Sequence, residues 1–320
     1  MERKYLITHE GNFYKANLHS HSTFSDGVLT PEQAKELYKS HGYSVYAYTD
    51  HVKLYDHREL TDPDFLVLVG YELGILRREP YWKTCHLCAI SRDPDHAVEI
   101  PQPKSYDPES INRTIARLRD NNYIVNYNHP GWSAEEASDF LPLDGITAME
   151  IYNHGCEVLT NDGDAKRQYE IALKHGKRWF CIATDDNHDG GREVPGAPDE
   201  RTDSLGGWTM IKAPELTYDA IIKSFDAGNF YCSTGPEIYD LYIEDGVLHA
   251  DCSPVSCVYL KSDTIGASKR LIHLKDDITH VAMDLKTLKR DEWFVRLELV
   301  RSDGKTAWTN PYYLPPKAEN

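Results

Sequence analysis

The run Tyr14-Lys15-Ala16-Asn17-Leu18-His19-Ser20-His21 holds the pattern on which the fold turns. Its first half is a short strand-like stretch. Its end carries two histidines two residues apart, which in an extended chain point the same way and can reach one ion. Five residues on, Ser25-Asp26-Gly27 places a carboxylate in a turn able to fold back over the same spot. The arrangement recurs: Ser44 to Thr49 leads to Asp50-His51, Phe65 to Gly70 to Tyr71-Glu72, Tyr123 to Tyr127 to His129-Pro130, and Arg178 to Thr184 to Asp185-Asp186-Asn187-His188. The run His86 to Ile90 begins on a histidine, and Ala148 to Tyr152 is followed by Asn153-His154. Seven strands are therefore predicted, with polar residues gathered at their ends.

Between several of these runs lie helix-like segments. Thr30 to His41 opens on Thr30-Pro31-Glu32 and stops at Gly42, Pro108 to Asp120 is similar, and Ala165 to His175 stops at Gly176. Alternation of strand and helix predicts an α/β fold of parallel strands with crossover helices. In a parallel barrel all strand ends open onto one face, where active sites are built. A further helix, Pro214 to Ala227, precedes Tyr231 to Pro236, after which helix signals fade. Short strands follow at Tyr239 to Ile243, Val255 to Lys261, His280 to Asp284 and Trp293 to Val300, broken by Asp245-Gly246 and Asp303-Gly304 turns. The expected organisation is a barrel over 1–235 and a small all-β domain over 236–320. The stretches Arg92 to Tyr106 and Asp185 to Gly207 read as long loops of the kind that border active sites.

Composition narrows the function. At about 150 residues per domain, 320 residues suit two domains or one large barrel with an appendage. Against 35 Lys and Arg stand 51 Asp and Glu, a net charge of −16, which argues against a nucleic-acid polymer or an anionic membrane surface as the main partner. No apolar run approaches the roughly 18 to 20 residues of a bilayer helix, and Met1 to Glu10 does not read as a secretory signal, so a cytoplasmic location is expected. Seven cysteines, an odd number, suit reduced thiols. The 15 histidines outnumber the 8 phenylalanines, and histidine is the commonest metal ligand.

Nine candidate ligands sit at the strand ends: His19, His21, Asp26, His51, Glu72, His86, His129, Asp186 and His188. Six imidazoles with three carboxylates form the mixed set that suits Zn, Mn or Fe, and nine exceed what one tetrahedral ion needs. Two or three divalent ions are expected, with Glu72 and Asp186 placed to bridge. The alternative is that each polar side chain is satisfied separately by hydrogen bonds. Cys85 and Cys88 lack a second cysteine pair and read as small strand residues. Arg192, in a glycine-rich loop, offers a fork for a phosphate or carboxylate; Arg77, Arg78 and Lys53 share that reading with a solvated one. Tyr71, Tyr81, Trp82 and Trp132 either line a pocket or pack inward, and His154 is a candidate proton donor.

The ordered series His19-Ser20-His21, Ser25-Asp26-Gly27, Thr49-Asp50-His51, Glu72, His86, His129-Pro130 and Asp186-Asn187-His188 resembles the motifs of the PHP superfamily, the polymerase and histidinol phosphatase domains, over residues about 15 to 235. The resemblance implies a distorted (β/α)7 barrel, related to the TIM barrel, with a trinuclear metal centre. It assigns His19, His21, Glu72 and Asp186 to one ion, Glu72, His86 and His129 to a second, and Asp26, His51 and His188 to a third. Features downstream, including Tyr152-Asn153, Gly191-Arg192 and the β appendage, are similar to a branch that includes carbaryl-hydrolase-like members and phosphoesterases. A phosphoesterase acting on a small anionic phosphorylated metabolite or nucleotide is expected. Its nucleophile would be a metal-activated hydroxide, since no Gly-x-Ser-x-Gly elbow supplies a protein one. The alternatives are a carboxylic ester, carbamate or amide hydrolase, and a metal- or carbohydrate-binding accessory protein. Three divalent ions against three carboxylates would leave the site net positive inside an acidic chain, which suits an anionic substrate.

Overall fold

β-Branched, aromatic and aliphatic runs become strands where the pattern predicts them, and capped amphipathic segments become helices. The computed structural model describes residues 3–190, 202–288 and 292–314. In chain order the first elements are β1 (Lys4–Tyr5), β2 (Asn12–Asn17), α1 (Pro31–Ser40), β3 (Val45–Tyr48), β4 (Leu66–Arg77), β5 (Lys83–Ser91), α2 (Pro108–Asp120) and β6 (Tyr123–Tyr127). There follow α3 (Ala137–Phe140), β7 (Ala148–Asn153), α4 (His154–Thr160), α5 (Lys166–Lys174), β8 (Phe180–Thr184), β9 (Trp208–Ala213) and α6 (Tyr218–Asp226). Contacts divide the chain into two units: Tyr14–Thr209 with Leu216–Ile222, and Met1–Phe13 with Met210–Glu215 and Lys223–Asn320.

In the unit that holds the candidate ligands, the strands run in the order β2-β3-β4-β5-β6-β7-β8. β3 and β6 are buried at every residue, which accounts for runs without polar alternation. Thr30 starts α1 with a capping box to Gln33, and Asp107 caps α2 at the amide of Ser110. α1 lays Ala34 and Tyr38 against Tyr43, Tyr46, Tyr48, Phe65 and Val67.

The expected (β/α)7 barrel is not what forms. β2-β3-β4 and β6-β7-β8 pair in parallel, but β4 and β5 make an antiparallel hairpin and β5 pairs antiparallel with β6. Five residues separate β4 from β5, too few for a crossover helix. The link from β3 to β4 carries only a 3₁₀ turn, Arg58–Leu60. The sheet does not close: between the β2 and β8 ends the described residues make an isolated bridge, Ser20 to Asn187, and no strand ladder, while β2 pairs on its other side with β9. There the Asn17 side chain takes the amide of Asp185 at 3.0 Å in place of a ladder bond. Asp186 then turns to φ +53°, outside strand geometry.

The other unit contains two antiparallel sheets. β11 (Ile238–Glu244), β12 (Val247–Val255) and β15 (Ile278–Asp284) line up with β1 in the order β1-β11-β12-β15. β14 (Ala267–Ile272), β13 (Cys257–Ser262), β16 (Phe294–Val300), β17 (Thr306–Thr309) and β10 (Phe230–Ser233) form the second in that order, and β18 (Tyr312–Tyr313) pairs with β16. Leu241, Leu248 and Val281 of the first sheet share one core with Val258, Leu260, Leu297 and Leu299 of the second. The predicted run Val255 to Lys261 is divided at Ser256, where the chain leaves one sheet for the other.

Candidate metal centre

All nine predicted ligands converge. Asp186 Oδ1 lies 3.1 Å from His19 Nε2 and 2.9 Å from His21 Nε2, and the two imidazole nitrogens face each other at 3.2 Å. Glu72 stands in the middle. Its Oε1 is 3.2 Å from His19 Nε2, 3.1 Å from His86 Nδ1 and 3.4 Å from His129 Nε2, while Oε2 is 3.0 Å from His51 Nδ1. Asp26 folds over the opening, Oδ2 at 3.4 Å from His51 Nε2 and Oδ1 at 3.5 Å from His188 Nε2. Four groups have donor atoms within 4.8 Å of one another: His21, Asp26, His51 and His188; Glu72, His86 and His129; His19, His129 and Asp186; and His19, Glu72 and Cys88.

Local structure explains the aim of each side chain. Asp50 accepts from the amide and hydroxyl of Ser22, both at 2.8 Å, and from Ser25 Oγ at 2.6 Å, which bends the 21–26 loop back on itself. A Cβ on Gly27 would stand 2.4 Å from His21 O, so this return needs glycine. His129 and Asp186 hold φ of +27° and +53°, uncommon for residues with a Cβ and concentrated at functional sites. Asp186 O takes His188 Nδ1 at 2.8 Å, leaving Nε2 for the centre. Of the neighbouring aspartates, Asp185 is the tether: it accepts from the amides of Leu205, Gly206 and Gly207 and from Tyr38 Oη.

Glu150 was not read as a functional residue, yet it orients the centre. It is buried and accepts from Thr184 Oγ1 at 2.7 Å, from the His129 amide at 2.8 Å and from Asn153 Nδ2 at 2.9 Å, and it faces His19 Nδ1 at 2.7 Å. The available signal was a lone carboxylate among apolar residues of a buried strand. Cys88 is a small strand residue, as expected, but it lies on the ligand face, with Asn128 Nδ2 3.1 Å from its Sγ, and groups with His19 and Glu72.

Electrostatics follow from this crowding. Burial alone would raise the carboxyls of Glu72 and Asp186. The neighbouring histidines outweigh it and hold both well below the usual carboxylate range. Burial opposes charge on His51, but Asp26 and Glu72 lift it to about 10; against the same opposition, Asp26 and Asp186 lift His188 to about 9. Paired donor atoms at these distances call for cations, and the donor set fits divalent ions. Buried imidazole nitrogens face one another, and Glu72 Oε2 accepts no well-aligned hydrogen bond even with His51 Nδ1 close by. Bound metal would displace protons from the histidines.

A cavity of about 380 Å³ opens over the cluster, with Trp132, Gly155, Cys156 and Leu159 as its opposite wall. Trp132 stands edge-on to His129 with ring centres 5.1 Å apart. His154 begins α4 but is not part of that wall; its Nδ1 pairs with Tyr152 Oη at 3.0 Å. Its ring lies where a Cβ on Gly206 would be. Tyr71 is buried and donates to Ile100 O at 3.2 Å, whereas Tyr81 and Trp82 are exposed. Lys53 pairs with Glu99, and Arg77 lies over Tyr81 and Tyr106. Arg192 and Gly191 lie outside the described residues.

No family description matches this sequence, and no curated protein does. Among solved structures, the chain is similar to a two-domain protein from Bacteroides vulgatus containing a predicted PHP-like metal-dependent phosphoesterase, at 15% identity over 98% of this chain and 100% of that one, with a TM-score of 0.47. It is also similar to a protein from Bifidobacterium adolescentis assigned by inference as a metal-dependent phosphoesterase, at 17% identity over 61% of this chain and 94% of that one, with a TM-score of 0.41.

Proposed function

We propose that this chain is a metal-dependent hydrolase of phosphoric esters on a small anionic metabolite or nucleotide. The observation that carries the reading is Glu72, a buried carboxylate whose two oxygens reach imidazoles of His19, His51, His86 and His129 while Oε2 accepts no aligned hydrogen bond. Motif order supports it through the likeness to the PHP superfamily. In this reading His19, His21, Glu72 and Asp186 hold one ion, Glu72, His86 and His129 a second, and Asp26, His51 and His188 a third. Zn, Mn or Fe all suit these donors. Divalent ions bound here supply Lewis acidity and an activated water.

The remaining work falls to the chain. Glu150 holds the His19 ring so that Nε2 faces inward, and Ser133 Oγ does the same for His129 through Nδ1 at 3.0 Å. Asp26, half exposed at the opening, closes the cluster on the solvent side. Trp132 and Leu159 present an apolar wall that takes the leaving group and keeps bulk water from that flank. The hydrolase is assigned to 1–235, with 236–320 as the β domain. The same apolar wall favours a second reading, hydrolysis of a neutral carboxylic ester or carbamate.

The test is turnover of p-nitrophenyl phosphate beside p-nitrophenyl acetate, on protein stripped by chelator and titrated with Mn, Zn or Fe while bound metal is counted. Phosphate release that climbs with two to three ions per chain is expected. Acetate cleavage alone would transfer the assignment to the ester reading, and metal binding without any turnover would overturn both.

A further inference from the structure

A second cavity, about 460 Å³, lies on the other side of His51 and His86, which line it and the first cavity alike. Its remaining polar lining is Arg78, Thr84 and Gln102, and no carboxylate lines it among the described residues. That is a departure in a chain with 51 acidic residues against 35 basic ones. Arg58, Arg113 and Arg301 each sit on a carboxylate, whereas Arg78 has no such partner among the described residues. Its guanidinium carbon lies 5.7 Å from the centre of the exposed Trp82 ring. A cation held near an aromatic face keeps its N–H donors, so the fork is available to an anion. The hairpin is also notched at this point. Gly74 pairs with His86, and a Cβ there would stand 2.8 Å from the imidazole Cδ2 and Nε2. Glycine at 74 thus lets the His86 ring lie flat against the strand and serve both cavities.

We infer that this second cavity is a subsite for a further anionic group of the substrate, with Arg78 as the residue that selects for it. The substrate class is then a doubly anionic ester. One group is cleaved at the cluster around Glu72, and the other, a carboxylate or phosphoryl, is held by Arg78 with Thr84 and Gln102 on the far side of His51 and His86. A bidentate guanidinium contact suits either anion. This inference rests on the hydrolase reading for the word substrate; binding tests it separately.

The experiment is calorimetric titration of the metal-loaded full chain with phosphonates, which cannot be hydrolysed: 3-phosphonopropionate and ethylene-1,2-bisphosphonate against ethylphosphonate, which lacks the second anion. The expected result is about tenfold tighter binding of at least one dianionic probe, the stronger identifying the second group as carboxylate or phosphoryl. The ratio should collapse to near one in Arg78→Ala and be partly kept in Arg78→Lys. Equal binding of all three probes by the parent, or a preference that survives Arg78→Ala, would overturn the subsite. Turnover of p-nitrophenyl phosphate on the same preparations reports on the hydrolase reading. Preference without turnover removes that reading and leaves the anion subsite standing, and turnover without preference does the reverse.

Discussion

Glu150 shows how one side chain sets a metal ligand's direction without standing among the ligands. Its carboxylate meets His19 Nδ1, the His129 amide and Thr184 Oγ1, so it orders residues from three separate strand ends. Groups of this kind, behind the ligands, typically govern affinity by 10- to 100-fold. Glu150→Gln is therefore expected to weaken metal binding by about that factor while leaving the far-ultraviolet circular dichroism of the parent; calorimetric titration of stripped protein checks it, and unchanged affinity would remove Glu150 from that role. Glu72→Gln should cost more, since one carboxylate faces four imidazoles, and metal counting on the purified variant should find at least one ion fewer. The nine ligand candidates were legible because each follows or opens an apolar run of the sequence, although Glu72 and His86 lie inside β4 and β5, which extend past those runs. Glu150 was not, because it stands alone between apolar neighbours within its run, and its partners His19, His129 and Thr184 come near only when the neighbouring strands are placed beside it.

Among the elements, local signals set the helices and long-range pairing set the sheet. α1 begins where Thr30 takes the Gln33 amide and Gln33 Oε1 takes the Thr30 amide, a pattern complete within four residues. Thr30→Ala should cost about 1 kcal/mol in chemical denaturation, with no change in metal content. The turn after β6 depends on tertiary contacts. Glu135 is buried there, accepting from Tyr106 Oη at 2.9 Å and from Tyr127 Oη. Burial pushes its carboxyl up to about 8, only partly offset by the two hydroxyls, with Asp139 adding to the rise. Between the ordinary carboxylate value near 4.5 and about 8, the folded chain keeps a proton that the unfolded chain has lost. Its contribution to stability is accordingly full below pH 4.5 and declines as pH rises to about 8. Thermal melts of the parent and Glu135→Gln across that window should show the parent losing more, and parallel curves would contradict the assignment. The β4-β5 hairpin and the open edge between β2 and β8 escaped the sequence reading because a run of apolar residues does not state which neighbour it pairs with or in which direction.

For the whole molecule, thiol chemistry offers a check. Six of the seven cysteines are buried, Cys257 is partly exposed, and all are free. A thiol reagent should label at most one cysteine promptly in the native protein and seven after denaturation, and prompt labelling of several would contradict the packing. No helix among the described residues is long and apolar enough to cross a membrane. The sequence by itself determined the seven strand runs of the ligand-bearing unit, the capped helices between them, the β-rich character of the C-terminal part and the nine candidate ligands. These are signals of local period, capping and residue chemistry, each complete within a few neighbours. Tertiary structure decided the rest: that the sheet stays open, that β4 and β5 turn back as a hairpin, that Glu150 and Asp185 serve as supports and that His154 faces Tyr152. It also decided that Arg78 faces a cavity behind His51 and His86. Each of these depends on which distant strand lies alongside, and that is fixed by the free energy of the packed whole, to which no single segment holds the key.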